Sequence, residues 1–241
     1  MRVRATVAYD GTDYRGFQRQ LSEPTVQGAL EAALERITQA STRVLAAGRT
    51  DAGVHAEGQV IAFDTGWRRG LSVLQRAMNA VLPPDIAVRD LQAASDFHPR
   101  FDAQSRRYRY TVYNAPVRSP LVRRSSLYVR RPLDVVAMER ATAAIVGEHD
   151  FATFGRPPQG ENTVRCVIEA AWRHASPWLF FEIEANAFLF RMVRSIVGTL
   201  LAVGRGKLAP DEFEQVLASQ DRSLAGKTAP AQGLCLIQVA Y

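Results

Sequence analysis

Val44-Leu45-Ala46-Ala47-Gly48-Arg49-Thr50-Asp51-Ala52-Gly53-Val54-His55, followed after three residues by Gln59-Val60-Ile61-Ala62-Phe63, decides how the chain is read. Two apolar, strand-like runs flank a polar loop. The loop carries a guanidinium, a hydroxyl, a carboxylate and an imidazole between Arg49 and His55. Gly48 and Gly53 bracket these groups, so the backbone can bend tightly or admit another molecule. Taken alone, the loop reads as a turn in which Asp51 makes an Asx hydrogen bond and Arg49 is its solvated partner. A chemical role for it has to draw on the rest of the chain.

Outward from the loop, the periodicity switches between two and 3.6. Residues 2–9 alternate as a strand, and Asp10-Gly11-Thr12-Asp13 ends it with turn chemistry. Thr25 N-caps a helix whose stripe is Val26, Leu30, Ala33, Leu34 and Ile37. Strands over 43–47 and 59–64 hold the loop. Ser72 is read as the cap of a second helix that Pro83-Pro84 stops, and 85–91 is a further strand. The order βαββαβ is the split-βαβ, ferredoxin-like pattern, an antiparallel sheet under two helices.

A second round follows: a strand over 106–113, an arginine-rich connection over 117–131, and a helix over 133–146. A hairpin of 164–174 with 179–185 turns at Ser176-Pro177. Helices over 187–203 and 210–218 and a closing strand over 234–240 complete it. The chain therefore reads as α+β, two ferredoxin-like βαββαβ units with antiparallel sheets side by side and a basic cleft between. Their boundary is placed at residue 100, giving domains 1–100 and 101–241.

Composition narrows the partners. The 241 residues carry a net charge of +6, and 28 of the 30 basic residues are Arg. Arg forks match phosphates, so a polyanion is indicated, although a GC-rich genome also favours Arg over Lys. Between His98 and Arg131 stand nine arginines and one acid, Asp102. Cys166 and Cys235 form no CxxC pattern and the four histidines no ligand spacing, which predicts a cytoplasmic protein without a metal. Arg191 and Arg194 interrupt the most apolar run, and no apolar leader follows Met1, so neither a membrane span nor a secretory signal is expected.

Three further features bear on chemistry. Tyr14-Arg15-Gly16-Phe17-Gln18-Arg19-Gln20 mixes rings, arginines and amides, either to contact RNA or as a loop with its rings tucked under it. On strand 106–113, Tyr108, Tyr110 and Val112 share one face and Arg107, Arg109 and Thr111 the other. That pairing of rings and cations suits single-stranded RNA, while the ordinary reading turns the tyrosines to the core. On helix 187–203, Arg191 and Arg194 are neighbours on one face, and burial demands a carboxylate partner: Asp51, or a structural acid such as Glu182 or Glu184.

With these residues in hand, Gly48-Arg49-Thr50-Asp51-Ala52-Gly53-Val54-His55 resembles the signature of the tRNA pseudouridine synthase A family. Tyr9-Asp10-Gly11, Tyr14, Gly16-Phe17-Gln18 and Gln20 resemble its N-terminal motif, with Phe17 where Trp is frequent. Phe97-His98-Pro99-Arg100-Phe101 and Arg106-Arg107-Tyr108-Arg109-Tyr110 resemble its middle motifs. Asn186-Ala187-Phe188, Met192-Val193-Arg194 with Ile196-Val197-Gly198, and Ala229-Pro230-Ala231 with Gly233-Leu234 resemble its C-terminal ones.

The resemblance implies isomerisation of uridine to pseudouridine at nucleotides 38, 39 and 40 of the tRNA anticodon stem-loop, without metal or cofactor. It also implies a homodimer whose tRNA spans both subunits. It assigns Asp51 as the catalytic aspartate and Tyr108 as the ring stacked on the target uracil. Arg49 becomes the arginine that helps displace the target nucleotide, and Arg194 the basic residue that pairs with the aspartate. Three routes stay open for Asp51: attack on uracil C6, attack on ribose C1′, or removal of the C2′ proton. Rival readings are an Asp51-based glycosidase, which lacks a second nearby acid other than Glu57, and a non-catalytic RNA binder, for which no RNP1-type aromatic cluster is seen.

Overall fold

The computed structural model describes residues 1–157 and 160–241, which form two compact units: Met1–Gln104 with Cys235–Tyr241, and Ser105–Leu234. In the first, β1 (Arg2–Tyr9), α1 (Val26–Thr38), β2 (Leu45–Ala46), β3 (His55–Asp64), α2 (Leu71–Val81) and β4 (Ile86–Ala93) follow in order. Strand β1 alternates strictly between half-exposed and buried positions, with Val3, Ala5, Val7 and Tyr9 inward. It pairs antiparallel with both β3 and β4, and β2 pairs antiparallel with β3. The order β4-β1-β3-β2 is that of the split βαβ predicted from the periodicity.

Helix α1 starts where Thr25 accepts from the Gly28 amide at 3.2 Å, and it buries Val26, Leu30, Ala33 and Leu34. Helix α2 departs from expectation at its start. Its cap is Gly70, whose carbonyl accepts from the amides of Val73 and Leu74, and Ser72 lies exposed within the first turn. The loop's flanks also shift. β2 keeps only Leu45–Ala46 of the predicted 43–47, whereas β3 begins at His55, four residues before the apolar run, because Ala56 already pairs with Tyr9.

The second unit holds β5 (Ser105–Asn114), β6 (Leu127–Val129), α3 (Val135–Ala143), β7 (Gly147–Asp150), β8 (Val164–Ala175), β9 (Trp178–Ala185), α4 (Met192–Gly204) and α5 (Pro210–Ala218). Its sheet runs β5-β9-β8-β7, antiparallel throughout, with β6 parallel to β5. Its core includes the fully buried Tyr110, Phe151, Phe154, Phe181 and Phe213. Strands β6 and β7 have no sequence signal: the first is three residues long, and the second reads Gly-Glu-His-Asp without apolar alternation. The last strand, β10 (Leu234–Ala240), pairs in parallel with β3 through Cys235–His55 and Leu236–Ala56, so it groups with the first unit and not with the residues preceding it. The division at residue 100 differs from the compact units in this respect, because a strand's ladder partner is not written in its own sequence.

The apolar helix begins later than its hydrophobicity predicts. Residues 186–191 are a loop: Asn186 Oδ1 accepts from the amides of Cys166 and Ala187, and the Phe190 amide donates to the Arg156 carbonyl. Arg191 stands at φ 63°, outside the helix, so Arg191 and Arg194 do not share a helical face. Among the described residues no helix is long and apolar enough to cross a membrane.

Strand β5 corrects a second expectation. Tyr108, Tyr110 and Val112 do face the core, but the opposite face is not a bare cationic stripe. Arg107 and Arg109 stand across from Glu184 and Glu182 on β9. Arg107 Nη2 lies 2.6 Å from Glu184 and 3.0 Å from Glu169, and Arg109 Nη2 lies 2.7 Å from Glu182, which Arg173 also meets at 3.3 Å. These glutamates answer β5 and β8, not Arg191 or Arg194.

The Ser105 hydroxyl and then the Arg107 guanidinium hold the Glu184 carboxyl below its ordinary value. A carboxyl depressed in the folded state contributes stability that is complete above its unfolded value of about 4.3 and is lost as pH falls through the folded value. Glu184→Gln is expected to flatten the acid limb of stability below about pH 4.3, measured by urea denaturation between neutral and acid pH. A limb as steep as that of the parent protein would show that this cluster does not contribute to it.

Candidate active site

Asp51 sits in a loop that main-chain contacts fix on several sides, all within the first unit. Ala47 donates to the Val60 carbonyl at 2.8 Å as the chain leaves β2, and the Gln59 amide side chain, fully buried, donates to the Gly48 carbonyl at 2.8 Å. The Val54 amide closes a turn onto the Asp51 carbonyl at 3.1 Å, and Gly53 in that turn has φ +77°. Ala47, Thr50 and Val54 are buried, Asp51 is half-buried, and Arg49 and Ala52 are exposed. The loop thus anchors every third or fourth residue inward and leaves the carboxylate at the boundary.

The segment that follows β1 supplies the other wall. Phe17 donates its amide to the Thr50 carbonyl at 3.1 Å, and Gly53 donates to the Tyr14 carbonyl at 3.3 Å. Gly16 has φ +95°, and a Cβ there would stand 2.8 Å from the Thr50 carbonyl oxygen. A Cβ on Gly11 would fall on the Val54 carbonyl oxygen. The two loops touch backbone to backbone, which only glycine permits. The Tyr9 hydroxyl shares a buried 2.7 Å hydrogen bond with Thr50 Oγ1, and burial pushes this phenol well above its ordinary range.

Tyr14 donates to Asp85 at 2.7 Å; burial first, and then Asp85, push its phenol up. At the far end of the loop, the Gly11 amide approaches His55 Nδ1 at 3.1 Å, and Asp10 Oδ1 lies 3.0 Å from the same nitrogen. That nitrogen accepts from Gly11 when it bears a lone pair or donates to Asp10 when it bears a proton, one or the other, and either contact ties the start of β3 to the turn after β1.

Tyr14 and Phe17 are therefore buried rings that support the loop, the plainer of the two readings of residues 14–20. Sequence reasoning missed Tyr9 and Gln59 as loop anchors. Their only signal was a tyrosine and an amide at positions where the strand pattern asks for aliphatic residues. Arg49 makes no ion pair among the described residues, which leaves its guanidinium available to a ligand.

The remaining residues singled out lie in the second unit. Tyr108 is 9% exposed on β5, and Phe188 meets its ring edge-on at 5.1 Å between centroids. Tyr110, one step further inward, donates to the Pro230 carbonyl at 2.8 Å. Arg194, in the first turn of α4, is half-buried; its Nε donates to the Ala229 carbonyl at 2.8 Å while its own carbonyl accepts from the Ala229 amide at 2.9 Å. Its charge opposes the rise that burial imposes on the Tyr110 phenol. The small face of α4 makes this packing possible. A Cβ on Gly198 would fall on the Lys227 carbonyl oxygen, and Thr199 Oγ1 accepts from the Gly226 amide at 2.9 Å.

Comparison with known proteins agrees with this arrangement of motifs. The family model described as tRNA pseudouridine synthase matches residues 5–102 and 141–241, the first stretch containing Asp51 and the second Arg194; Tyr108 lies between the two. A tRNA pseudouridine synthase A of Moorella thermoacetica is 46% identical over 245 residues, covering 99% of each chain. That of Brevibacillus brevis is 45% identical over 242 residues, covering 100% of this chain and 99% of its own. That of Chloroflexus aurantiacus is 48% identical over 248 residues, covering 99% of this chain and 88% of its own. Among solved structures, a Cbf5-Nop10-Gar1 complex aligns with 97% of this chain and 48% of that one, at a TM-score of 0.40 and 12% identity, too slight a likeness to argue from. By the matched residues and the full-length relatives, the chain belongs to the tRNA pseudouridine synthase family of isomerases.

Proposed function

We propose that this protein isomerises uridine to pseudouridine at nucleotides 38, 39 and 40 of the tRNA anticodon stem-loop, using Asp51 as its catalytic carboxylate and no cofactor. The observation that carries the reading is the half-buried Asp51 carboxylate on a loop held by backbone contacts from the Tyr9–Phe17 segment, in a chain of this family. The reaction breaks the bond from uracil N1 to the ribose, turns the base and rejoins it through C5. No electrons are exchanged and no water is added, so the chemistry asks for a nucleophile or base and for a means of holding the base. A carboxylate at a fixed position meets the first need, whichever of C6, C1′ or the C2′ proton it addresses.

Tyr108 meets the second need in this reading, as the ring on which the target uracil stacks, with Phe188 steadying it from the side. Arg49 helps displace the nucleotide, for which its exposed guanidinium is suited, and Arg194 is the cation that supports the carboxylate. Turning a stem nucleotide out of its helix costs a few kcal/mol, which contacts from arginines to the tRNA backbone offset. Action as a homodimer on one tRNA per active site, in the cytoplasm, completes the proposal; the dimer is what the family resemblance implies, and the cytoplasm follows from two cysteines without a CxxC pattern.

Asp51→Ala is expected to abolish tritium release from C5-labelled uridine in tRNA while leaving tRNA affinity within about tenfold, ~1.4 kcal/mol. Retained turnover would remove Asp51 from the mechanism, and release of free uracil by the parent protein would point to a glycosidase. Tyr108→Phe is expected to keep most of the turnover that Tyr108→Ala loses. Equal losses would assign the role to the hydroxyl and not to the ring. Gly16→Ala, which drives a methyl toward the Thr50 carbonyl, is expected to lower kcat by at least about tenfold with little change in tRNA binding. An unchanged kcat would mean that the loop tolerates displacement.

A further inference from the structure

Tyr110 is fully buried on β5, and the proposed chemistry makes no use of its hydroxyl. That hydroxyl donates to the Pro230 carbonyl at 2.8 Å, in the segment that leads into β10. A Cβ on Gly233 would stand 2.6 Å from Cζ of the ring and 2.9 Å from its hydroxyl oxygen. The 3₁₀ turn Ala231–Gly233 therefore rests directly on the phenol, at a distance that only glycine permits.

The residue before Pro230 is clasped by Arg194. Ala229 donates its amide to the Arg194 carbonyl at 2.9 Å, and its own carbonyl accepts from Arg194 Nε at 2.8 Å. One residue thus meets both the main chain and the side chain of the same arginine. Ala229 is only 2% exposed, so water competes little for either bond. The segment also follows α4 further down, where the Gly226 amide donates to Thr199 Oγ1 at 2.9 Å.

Arg194 holds the Ala229 carbonyl and Tyr110 holds the Pro230 carbonyl. Only two backbone torsions separate these acceptors. The proline ring locks the first, φ of Pro230, at −55°. The second, ψ of Pro230 at 149°, is not locked by the ring, and the bond from the Tyr110 hydroxyl restrains it. Without that bond the Ala229–Pro230 peptide can turn, and the carbonyl that meets Arg194 Nε turns with it.

We infer that Tyr110 is a positioning residue for Arg194: its hydroxyl fixes the Pro230 carbonyl and, through the proline, the Ala229 carbonyl against which the guanidinium is oriented. The inference rests on the reading of Arg194 as the cation that supports the catalytic carboxylate. A guanidinium is a planar fork, so fixing its Nε sets the direction of its remaining donors and not only the presence of charge. Such support acts fully only when the donors are aimed before the reaction begins. The Arg194 charge opposes the rise that burial imposes on the Tyr110 phenol, which puts the two groups within each other's field. Tyr108 and Tyr110 then divide one strand face, the first reaching the surface to hold the base and the second working from behind.

The test compares single-turnover tritium release from C5-labelled uridine in tRNA with tRNA affinity, for Tyr110→Phe in the full chain. This variant keeps the ring beneath Gly233 and removes only the hydroxyl. Its turnover is expected to fall about tenfold while affinity stays within about twofold of the parent. A rate like the parent's, or equal losses of rate and affinity, would overturn the proposal. Pro230→Ala frees φ without removing a hydrogen bond, and it keeps the test open if Tyr110→Phe does not fold. It is expected to show the same split in smaller measure, and an unchanged rate would overturn the torsional link.

Arg194→Lys keeps the charge but lacks the Nε that meets Ala229, so adding Tyr110→Phe to it is expected to cost nothing further. A second loss of about tenfold in the double variant would mean that Tyr110 acts on the fold and not through Arg194. Arg194→Gln tests the reading beneath. If it turns over tRNA as the parent does, Arg194 does not support the carboxylate and the proposal falls with that reading. If Arg194→Gln is inactive and Tyr110→Phe is unimpaired, the reading stands and the positioning role alone falls.

Discussion

Two backbones in contact, with no side chain between them, set the geometry of the Asp51 loop. Gly11 presses on the Val54 carbonyl and Gly16 on the Thr50 carbonyl, so the loop is located from both ends by main-chain atoms. Main-chain atoms have no rotamers to explore, and three amide hydrogen bonds further restrict the loop: Phe17 to Thr50, Gly53 to Tyr14 and Val54 to Asp51. The only freedom left to the carboxylate is its own two side-chain torsions. The buried Tyr9–Thr50 hydrogen bond adds about 1 kcal/mol of net stability. Its larger effect is asymmetric, because removing one partner would strand the other away from water. A catalytic group needs a position held to fractions of an ångström, and for the role proposed for Asp51 the loop draws its support from groups that are not themselves reactive.

Much of this was legible in the residues, and the remainder was hidden for identifiable reasons. Local periodicity located β1, α1 and α5, where amphipathic spacing and a cap or proline coincide. It misjudged the start of α4, because Ala187 to Phe190 are apolar enough to extend the helix, while the Ala187 amide donates to Asn186 Oδ1 and the Phe190 amide to the Arg156 carbonyl instead. Strand β10 was visible as a strand but not as a neighbour of β3, since the partner lies 180 residues away in sequence (Cys235 against His55). The Asp51 loop stood out by composition, whereas its supports Tyr9 and Gln59 did not, being single polar groups inside otherwise ordinary strands.

The arginines of β5 show where charge counting fails and what replaces it. Arg107 and Arg109 look like phosphate ligands because their sequence neighbours are rings and other arginines. Across the ladder, however, each faces a glutamate more than seventy residues on. An ion pair at 2.6–2.8 Å that is also hydrogen-bonded, as Arg107–Glu184 and Arg109–Glu182 are, must be broken before either guanidinium can serve a phosphate at full strength. The glutamates also keep three cations compact on one sheet face, a role that is structural and not one of recognition.

What is left of the basic excess is then unevenly placed. In the connection between β5 and α3, Arg118 and Arg123 make no ion pair among the described residues, and the next acid along the chain is Asp134, itself engaged as the cap of α3 at 2.9 Å. Guanidiniums left unpaired are stable in water and keep their full charge for an anionic partner. On the sheet face itself the arrangement is the opposite: each arginine of β5 and β8 that meets a glutamate there spends its charge inside the protein. The basic excess of the chain is thus defined as much by where charge has been cancelled as by where it remains.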